Sequence, residues 1–215
     1  MQVLYLVRHA ETGFNRHGRV QGHTESTLSR LGIEQAKRIA KRLDYVDFVA
    51  AYSSPAKRAV QTARWALDPS LEIETREGLR EISLGVWEGE RASTLRRRYP
   101  RDVELWFQRP SAVRIPGGET VGHFRRRVAR EINRIRAAHP DGEIAIVTHG
   151  GVICAYLTYA LEMKLDNLWS FKIRNASVTR ILFPQGRARV DLLGDIHHLR
   201  DAFREMPGRP FRLFP

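Results

Sequence analysis

Near its N-terminus the sequence reads Val3-Leu-Tyr-Leu-Val-Arg-His-Ala-Glu-Thr12, an apolar run of five residues followed at once by Arg8 and His9. The run has the length of a strand and is rich in residues with high β propensity. A continuous apolar run of this length is typical of a strand that is buried on both faces of a parallel sheet. We therefore expect residues 3–7 to form a buried strand, with Arg8 and His9 at its carboxyl end.

The remaining sequence alternates between strand and helix patterns. In chain order it predicts a helix over residues 28–43, a strand over 47–53, a helix from 54 to about 67, a helix over 120–138, a strand over 144–148 followed by an apolar helix, and a strand hairpin over 177–183 and 188–193. Ser29 is placed to cap the first helix, and the Ser54-Pro55 pair to begin the second, so that Arg58 lies in its first turn. This alternation indicates an α/β three-layer sandwich, a mainly parallel sheet with helices on both faces.

Between residues 85 and 118 the pattern breaks, because the sequence there is charged and aromatic and contains no clear strand. We interpret residues 85–118 as a helical cap insertion over the carboxyl-terminal edge of the sheet. A length of 215 residues fits one ordinary domain with such an insertion, so the whole chain, 1–215, is expected to be a single domain. Trp106, Phe107 and Arg109 of the insertion either line a ligand site or pack the insertion onto the sheet.

The composition describes a globular protein with an excess of positive charge. The chain has 36 Lys and Arg against 24 Asp and Glu, a formal net charge of +12, which attracts phosphorylated metabolites, nucleic acids and acidic membranes alike. Much of the excess is helical arginine, as in Arg96-Arg97-Arg98 and Arg125-Arg126-Arg127. We interpret these runs as solvated helix faces, because no stacking aromatics and no nucleic-acid motif accompany them. Without a membrane-length apolar run or a signal-peptide pattern, the protein is expected to be cytoplasmic.

Several candidate ligand-binding residues follow predicted strands directly. In open α/β sheets, ligands bind beyond the carboxyl ends of the strands. Arg8 and His9 follow the first strand, Arg58 opens the helix after the second, and His149 and Gly150 follow a later one. Two arginines, two histidines and free backbone N–H groups are the donors that a tetrahedral phosphate dianion needs. The sequence therefore predicts a phosphate site at this edge of the sheet.

Whether this site only binds phosphate or also transfers it depends on a nucleophile and an acid. Nearby positive charge disfavours the imidazolium form, so His9 between arginines keeps one ring nitrogen free to attack phosphorus. Glu81 is a candidate general acid for the leaving oxygen, because a carboxyl beside a bound dianion holds its proton more readily. From the residues alone, however, Glu81 is one acidic residue among many, and both interpretations stay open.

Seven segments, spread in order along residues 6–151, together form a recognisable set of motifs. They are Leu6-Val-Arg-His-Ala-Glu-Thr12, Asn15, Gln21-Gly22, Ser53-Ser-Pro-Ala-Lys-Arg-Ala59 with Gln61-Thr-Ala63, Leu79-Arg-Glu-Ile-Ser-Leu-Gly-Val-Trp-Glu-Gly89, Pro116-Gly-Gly-Glu-Thr120 and Val147-Thr-His-Gly-Gly151. In this order they resemble the motifs of the histidine phosphatase superfamily, which has the phosphoglycerate-mutase-like fold. The later segments 165–169 and 177–179 are similar to the broad-specificity bacterial phosphatase branch of that superfamily.

The resemblance implies a role for each candidate. It implies that His9 is the phosphorylated residue, that Glu81 is the proton donor, and that His149 is also catalytic. The residues that it implies bind the phosphate are Arg8, Arg58, His149 and Asn15. Those that it implies contact the substrate are Gln21, Gly22 and Gly150. It also implies a metal-independent phosphatase that has no cofactor and hydrolyses small phosphomonoesters. The expected partner is a small phosphorylated metabolite, without nucleic acid or membrane, and both a monomer and a homodimer remain open.

Two departures from the family pattern bear on activity. Ala10 stands where the commonest first motif has glycine, which matters only if the backbone there needs a positive φ. After Glu81, residues 82–89 are similar to the phosphatases, whereas the mutase branch carries a longer insertion. Hydrolysis is therefore the favoured activity. The alternatives are a cofactor-dependent phosphoglycerate mutase and an inactive protein that binds phosphorylated ligands or nucleic acid.

The remaining histidines do not predict a metal site. His17 and His23 form one pair and His197 and His198 another, but neither pair has a carboxylate or cysteine partner at the spacing of metal ligands. The expected chemistry also needs no metal ion, because the arginines neutralise the phosphate charge.

Overall fold

The computed structural model describes residues 1–200, so the last fifteen residues of the predicted domain lie outside the described part. The strands are β1 (Gln2–Arg8), β2 (Phe48–Ser53), β3 (Ile73–Thr75), β4 (Gly142–Thr148), β5 (Val178–Leu182) and β6 (Arg189–Asp195). The helices are α1 (Gly13–His17), α2 (Arg30–Leu43), α3 (Lys57–Ala66), α4 (Ala92–Arg98), α5 (Pro100–Gln108), α6 (Val121–Ala138) and α7 (Gly150–Ala160), with several short 3-10 turns between them.

The strands form one sheet in the order β3-β2-β4-β1-β5-β6. Strands β1 to β4 run parallel, and β5 and β6 complete the sheet as an antiparallel hairpin. The strand predicted from residues 3–7 is central and fully buried, as expected. The hairpin predicted near residue 185 is also confirmed, with Gln185 and Gly186 in the left-handed conformation that a tight turn requires.

The two faces of β1 pack against different helices, because successive side chains of a strand point to opposite sides. Leu4 and Leu6 lie in one apolar cluster with Phe124 of α6 and Ile153 of α7. Val3, Tyr5 and Val7 lie in the other, with Ala36 and Ile39 of α2 and Ala63 of α3. The predicted α/β three-layer sandwich is therefore confirmed.

The segment from 85 to 118 is helical, as predicted, and shares its apolar core with one face of the sheet. Trp87 and Trp106 are buried in the cluster that contains α6 and α7, with their rings 6.0 Å apart, and Trp106 also contacts Trp169 at 5.4 Å. Of the two roles considered for Trp106, the structure supports packing of the insertion. Phe107 also packs against this cluster.

With Ser54 as the cap, the predicted first helical residue of α3 is Pro55, and this start is wrong by two residues. The helix begins at Lys57 after Ala56 and has no side-chain cap. Ser54 lies before this start; its hydroxyl accepts the N–H of Ala56 at 3.3 Å and lies 2.8 Å from Nε2 of His149. Arg58 still falls in the first turn. The predicted cap Ser29 accepts a backbone N–H at the start of α2, and Thr120, where α6 was predicted to begin, does the same for that helix.

Two short elements were not predicted. Strand β3 has only three residues and lies at the edge of the sheet, and helix α1 has five. Helix α1 depends on reciprocal hydrogen bonds between Thr12 and Asn15, a capping box. Among residues 1–200, no helix combines the length and the apolar character needed to cross a bilayer.

Candidate active site

The sheet order brings the predicted phosphate ligands together. Strand β4 lies between β1 and β2, so the carboxyl ends of the three strands are neighbours. In the register, Arg8 pairs with Thr148, which precedes His149. The rings of His9 and His149 are consequently 5.3 Å apart, in an edge-on arrangement.

One ring nitrogen of His9 makes a hydrogen bond to the protein backbone. Its Nδ1 lies 2.8 Å from the carbonyl oxygen of Ala10, and because a carbonyl only accepts, Nδ1 carries the proton. The other nitrogen, Nε2, then bears a lone pair. Burial, reinforced by Arg58 and Arg8, holds the pKa of His9 well below its ordinary value, so the ring is neutral at physiological pH. His9 therefore has the form of a nucleophile.

The backbone of His9 is fixed from both sides. Its N–H donates to the carbonyl of Thr148 at 2.8 Å. Its own carbonyl accepts from the N–H of Ala176 at 3.1 Å and from Nδ2 of Asn175 at 3.0 Å. Ala176 is buried and has a φ of 57°, a left-handed conformation that costs a non-glycine residue on the order of 1 kcal/mol. Neither residue was singled out from the sequence.

Two buried guanidinium groups flank the histidines. Arg58 is 1% exposed and donates to the carbonyls of Gly22 at 2.8 Å and Thr24 at 3.0 Å, while Arg8 donates to the carbonyl of Ile173. The Nε atoms of both arginines are buried without a protein partner. Burial lowers the pKa of Arg58 to about 10, so it stays charged at neutral pH. The two arginines thus provide a concentrated positive field that suits a dianion.

His149 and the glycines that follow it lie beside the two arginines. The ring is fully buried, with Nε2 on Ser54 and with Nδ1 lacking any protein partner. Burial, then Arg58 and His9, holds the pKa of His149 well below its ordinary value. A Cβ on Gly150 would lie 3.3 Å from the guanidinium of Arg8, so glycine lets the arginine pack against the start of α7.

Glu81 reaches the same place from a segment without regular secondary structure. One carboxylate oxygen accepts the N–H of Ile82 at 3.0 Å and the other the N–H of Gly151 at 3.1 Å. Arg8 and Arg58 are among the charges that interact with it. A carboxyl group therefore lies in direct contact with the helix start that follows His149, beside both arginines.

Helix α1 and the loop that follows it contain the other predicted contacts, Asn15 and Gln21. The side-chain oxygen of Asn15 accepts from the N–H of Thr12 at 3.1 Å and from Asn175 at 3.3 Å. The side-chain oxygen of Gln21 accepts from the hydroxyls of Thr12 at 3.2 Å and Ser26 at 2.5 Å. Both amide oxygens are thus occupied, which leaves the NH₂ groups as donors. Donors of this kind suit an anionic ligand.

Glu88 is a structural residue of the site that sequence reasoning missed. Its carboxylate accepts the N–H groups of His23 at 3.0 Å, Thr24 at 2.9 Å and Leu84 at 2.9 Å. It thereby ties the loop that contains Gly22 to the segment that contains Glu81. Gly22 has a φ of 53°, and a Cβ there would lie 2.3 Å from the Glu88 carboxylate. The close spacing of Glu88 after Glu81 in one motif was the available signal.

Ala10 is accommodated without strain. It is fully buried, its φ is not positive, and its N–H donates to the hydroxyl of Thr62 at 3.0 Å. The glycine that is common at this position is therefore not required in this chain. Within residues 1–200, no group of three or more His, Cys, Asp or Glu side chains is arranged to hold a metal ion.

The chain is similar to known proteins over almost its whole length. The family model described as the histidine phosphatase superfamily (branch 1) matches residues 4–196. The chain is 32% identical over 206 residues to phosphoserine phosphatase 1 of Hydrogenobacter thermophilus, covering 95% of this chain and 98% of that one. It is 34% identical over 208 residues to phosphoglycerate mutase-like protein 4 of Arabidopsis thaliana, covering 92% and 87%. Among solved structures, YhfR of Bacillus stearothermophilus matches with a TM-score of 0.88 and 33% identity, covering 93% and 100%.

Proposed function

The chain belongs to the histidine phosphatase superfamily and is a phosphoric monoester hydrolase, and we propose that it works through a phosphohistidine formed on His9. One observation carries the proposal. The proton of His9 is fixed on Nδ1 by the carbonyl of Ala10, so a neutral Nε2 is available between two buried arginines. A site built only to bind phosphate has no need of an unprotonated nitrogen at its centre, since a protonated ring would bind the anion more strongly.

In the first half-reaction, Nε2 of His9 attacks phosphorus while the bond to the ester oxygen breaks. Arg8, Arg58 and His149 are proposed to offset charge on the phosphoryl oxygens, because Nε of each arginine and Nδ1 of His149 are buried without a protein partner. Glu81, protonated when substrate binds, gives its proton to the leaving oxygen, so that an alcohol departs and a carboxylate remains. The phosphoryl group is then on His9.

In the second half-reaction, the Glu81 carboxylate takes a proton from water as the water attacks phosphorus. The phosphorus–nitrogen bond breaks, inorganic phosphate forms, and both side chains return to their starting states. Asn15, Gln21 and the Gly150 backbone are proposed to orient the substrate through N–H donors. Charge neutralisation comes from the arginines, so the proposed cycle is metal-independent.

The test is hydrolysis of p-nitrophenyl phosphate in excess chelator, combined with trapping of an acid-labile phosphoenzyme. We expect His9→Ala to abolish both the activity and the trapped phosphate. His197→Ala is the matched control, since that histidine is exposed and distant from the site in sequence. Retention of most activity by His9→Ala would exclude the proposed intermediate.

Hydrolysis is favoured over mutase activity because the segment after Glu81 is short. Residues 82–87 lead directly to Glu88, which anchors them to the loop of Gly22. A coupled assay of the two monophosphoglycerates, with and without bisphosphoglycerate, checks this preference. Binding to nucleic acid without hydrolysis would favour the inactive alternative.

The relatives guide the choice of substrates to test. A small phosphorylated metabolite is expected, and phosphoserine is the first candidate because related enzymes are named for it. A hydrolysis screen over several tens of phosphate esters, ranked by kcat/KM, identifies the preferred ester.

A further inference from the structure

The segment that contains Glu81 is held in place by side chains of other elements. Four successive backbone carbonyls, those of residues 78–81, each accept a hydrogen bond from a side chain. Thr148 of β4 donates to the carbonyl of residue 79 at 2.8 Å, and the ring of His23 donates to that of residue 81 at 2.9 Å. Neither a helix nor a sheet ladder fixes residues 80–83, so these bonds hold the backbone from which the carboxylate reaches the N–H of Gly151.

Arg127 of α6 supplies three of these bonds. Its guanidinium donates to the carbonyls of Gly78 at 2.9 Å, Arg80 at 3.0 Å and Glu81 at 3.3 Å. The sequence predicted a solvated face for the arginine run 125–127, and for Arg127 that prediction is wrong. The side chain lies over the ring of Phe124 and points toward the segment instead of into solvent.

Glu119 fixes the guanidinium in this orientation. Its two carboxylate oxygens accept from Nη2 of Arg127 at 2.7 Å and from Nε at 3.1 Å, a bidentate pair with the carboxylate side chain 10% exposed. The N–H of Glu119 also donates to the carbonyl of Ser83 at 2.8 Å. The motif Pro116-Gly-Gly-Glu-Thr120 thus meets the segment of Glu81 both directly and through Arg127.

We propose that Arg127 and Glu119 are positioning residues that hold the carboxyl group of Glu81 at hydrogen-bond distance from Gly151. This role presupposes that Glu81 is the proton donor. The planar guanidinium reaches three carbonyls and one carboxylate at once, which the single ammonium of lysine does not. Loosening this contact lets the segment move, and a displacement of about 1 Å at a catalytic group costs about 10²-fold in rate.

The effect should depend on the leaving group of the substrate. A poor leaving group such as phenolate needs a proton in the transition state, whereas p-nitrophenolate departs with much less assistance. A purely structural role would slow both substrates equally. We therefore expect Arg127→Lys to slow phosphoenzyme formation about 10²-fold with phenyl phosphate and no more than about 5-fold with p-nitrophenyl phosphate.

The experiment measures phosphoenzyme formation by rapid quench for the wild type, Arg127→Lys, Glu119→Gln and Glu81→Gln. Arg126→Lys is the matched control, because that arginine is the neighbour on the same helix and is exposed. Thermal melting of each variant shows that it is folded. If Arg127→Lys does not fold, the milder Glu119→Gln, which keeps one acceptor for the guanidinium, answers the same question.

Selective loss with phenyl phosphate in Arg127→Lys and Glu119→Gln, matching that of Glu81→Gln, supports the positioning role. An equal loss with both substrates, or no loss, overturns it. If Glu81→Gln itself shows no leaving-group selectivity, the proposed proton donor is wrong. The two failures are therefore distinguishable.

Discussion

Substitution of Gly151 by alanine should lower the activity of the enzyme without lowering its stability. The residue lies in the first turn of α7, and its N–H donates to Glu81 at 3.1 Å. A Cβ at this position would lie 2.3 Å from Oε1 of Glu81 and 3.0 Å from its Cδ. The carboxyl group must therefore move by about 1 Å to reach an ordinary contact distance of about 3.5 Å.

The two consequences of this change have opposite signs. Alanine is favoured over glycine in a helix by about 1 kcal/mol, and the clash involves the end of a flexible side chain, so stability should be unchanged or slightly higher. A displacement of about 1 Å at the proton donor should lower kcat about 10²-fold, which corresponds to about 2.7 kcal/mol of transition-state stabilisation. We expect a variant that is as stable as the wild type and nearly inactive on phenyl phosphate.

The assay compares kcat on phenyl phosphate with the free energy of unfolding in urea. Gly122→Ala is the matched control, since a Cβ there would meet its nearest atoms at 3.6 and 3.7 Å, which are ordinary contacts. That variant should gain stability and keep its activity. A Gly151→Ala enzyme with wild-type kcat would refute the placement of Glu81 as the proton donor. A loss of more than about 2 kcal/mol of stability would refute the packing argument.

Three further predictions concern the histidines, Ala10 and Glu88. Burial, together with the arginines, lowers the pKa of His9 and His149 in the native state. On acidification the two rings therefore become protonated in the unfolded chain before they do in the native protein, and the free energy of unfolding should fall between about pH 7 and pH 5. Urea titrations at the two pH values measure this fall, and a His9→Gln, His149→Gln double variant should reduce it; an unchanged slope would contradict the assignment of the fall to these two rings. Ala10→Gly should keep kcat while losing about 1 kcal/mol of stability, because alanine has an ordinary φ there; higher activity in the glycine variant would indicate hidden strain. Glu88→Gln should destabilise the protein by about 1 to 3 kcal/mol and raise KM more than it lowers kcat, because an NH₂ group replaces one of the two oxygens that accept the N–H groups of the two loops. Thermal melting and steady-state kinetics measure the two effects, and an unchanged KM would contradict the role of Glu88 in joining the loops.

The sequence predicted best the residues whose positions follow from strand topology. His9, His149 and Arg58 lie just beyond buried parallel strands, and the strands themselves are visible as apolar runs. Once the runs are placed in one sheet, their carboxyl ends must lie together. The juxtaposition of these three side chains therefore needed no knowledge of distant contacts.

Residues positioned by contacts from far along the chain were harder to predict. Glu81 lies in a segment with no periodic pattern, and its place depends on Arg127, Thr148 and His23, which no local rule connects with it. Ser54 illustrates the opposite error. Its position before a proline is typical of a helix cap, and its hydroxyl does accept the N–H of Ala56, but the helix begins only at Lys57, and the same hydroxyl also contacts His149.

The order of the sheet has a consequence for biosynthesis. Strands β1 and β2 are not paired with each other, because β4, which begins at Gly142, lies between them. Until residues 142–148 have emerged from the ribosome, β1 and β2 of a nascent chain therefore lack the strand with which both of them pair. Such long-range pairing is typical of slow folding. We expect ribosome-bound chains that end before β4 to be sensitive to protease and unable to accept phosphate on His9, however complete their N-terminal motif.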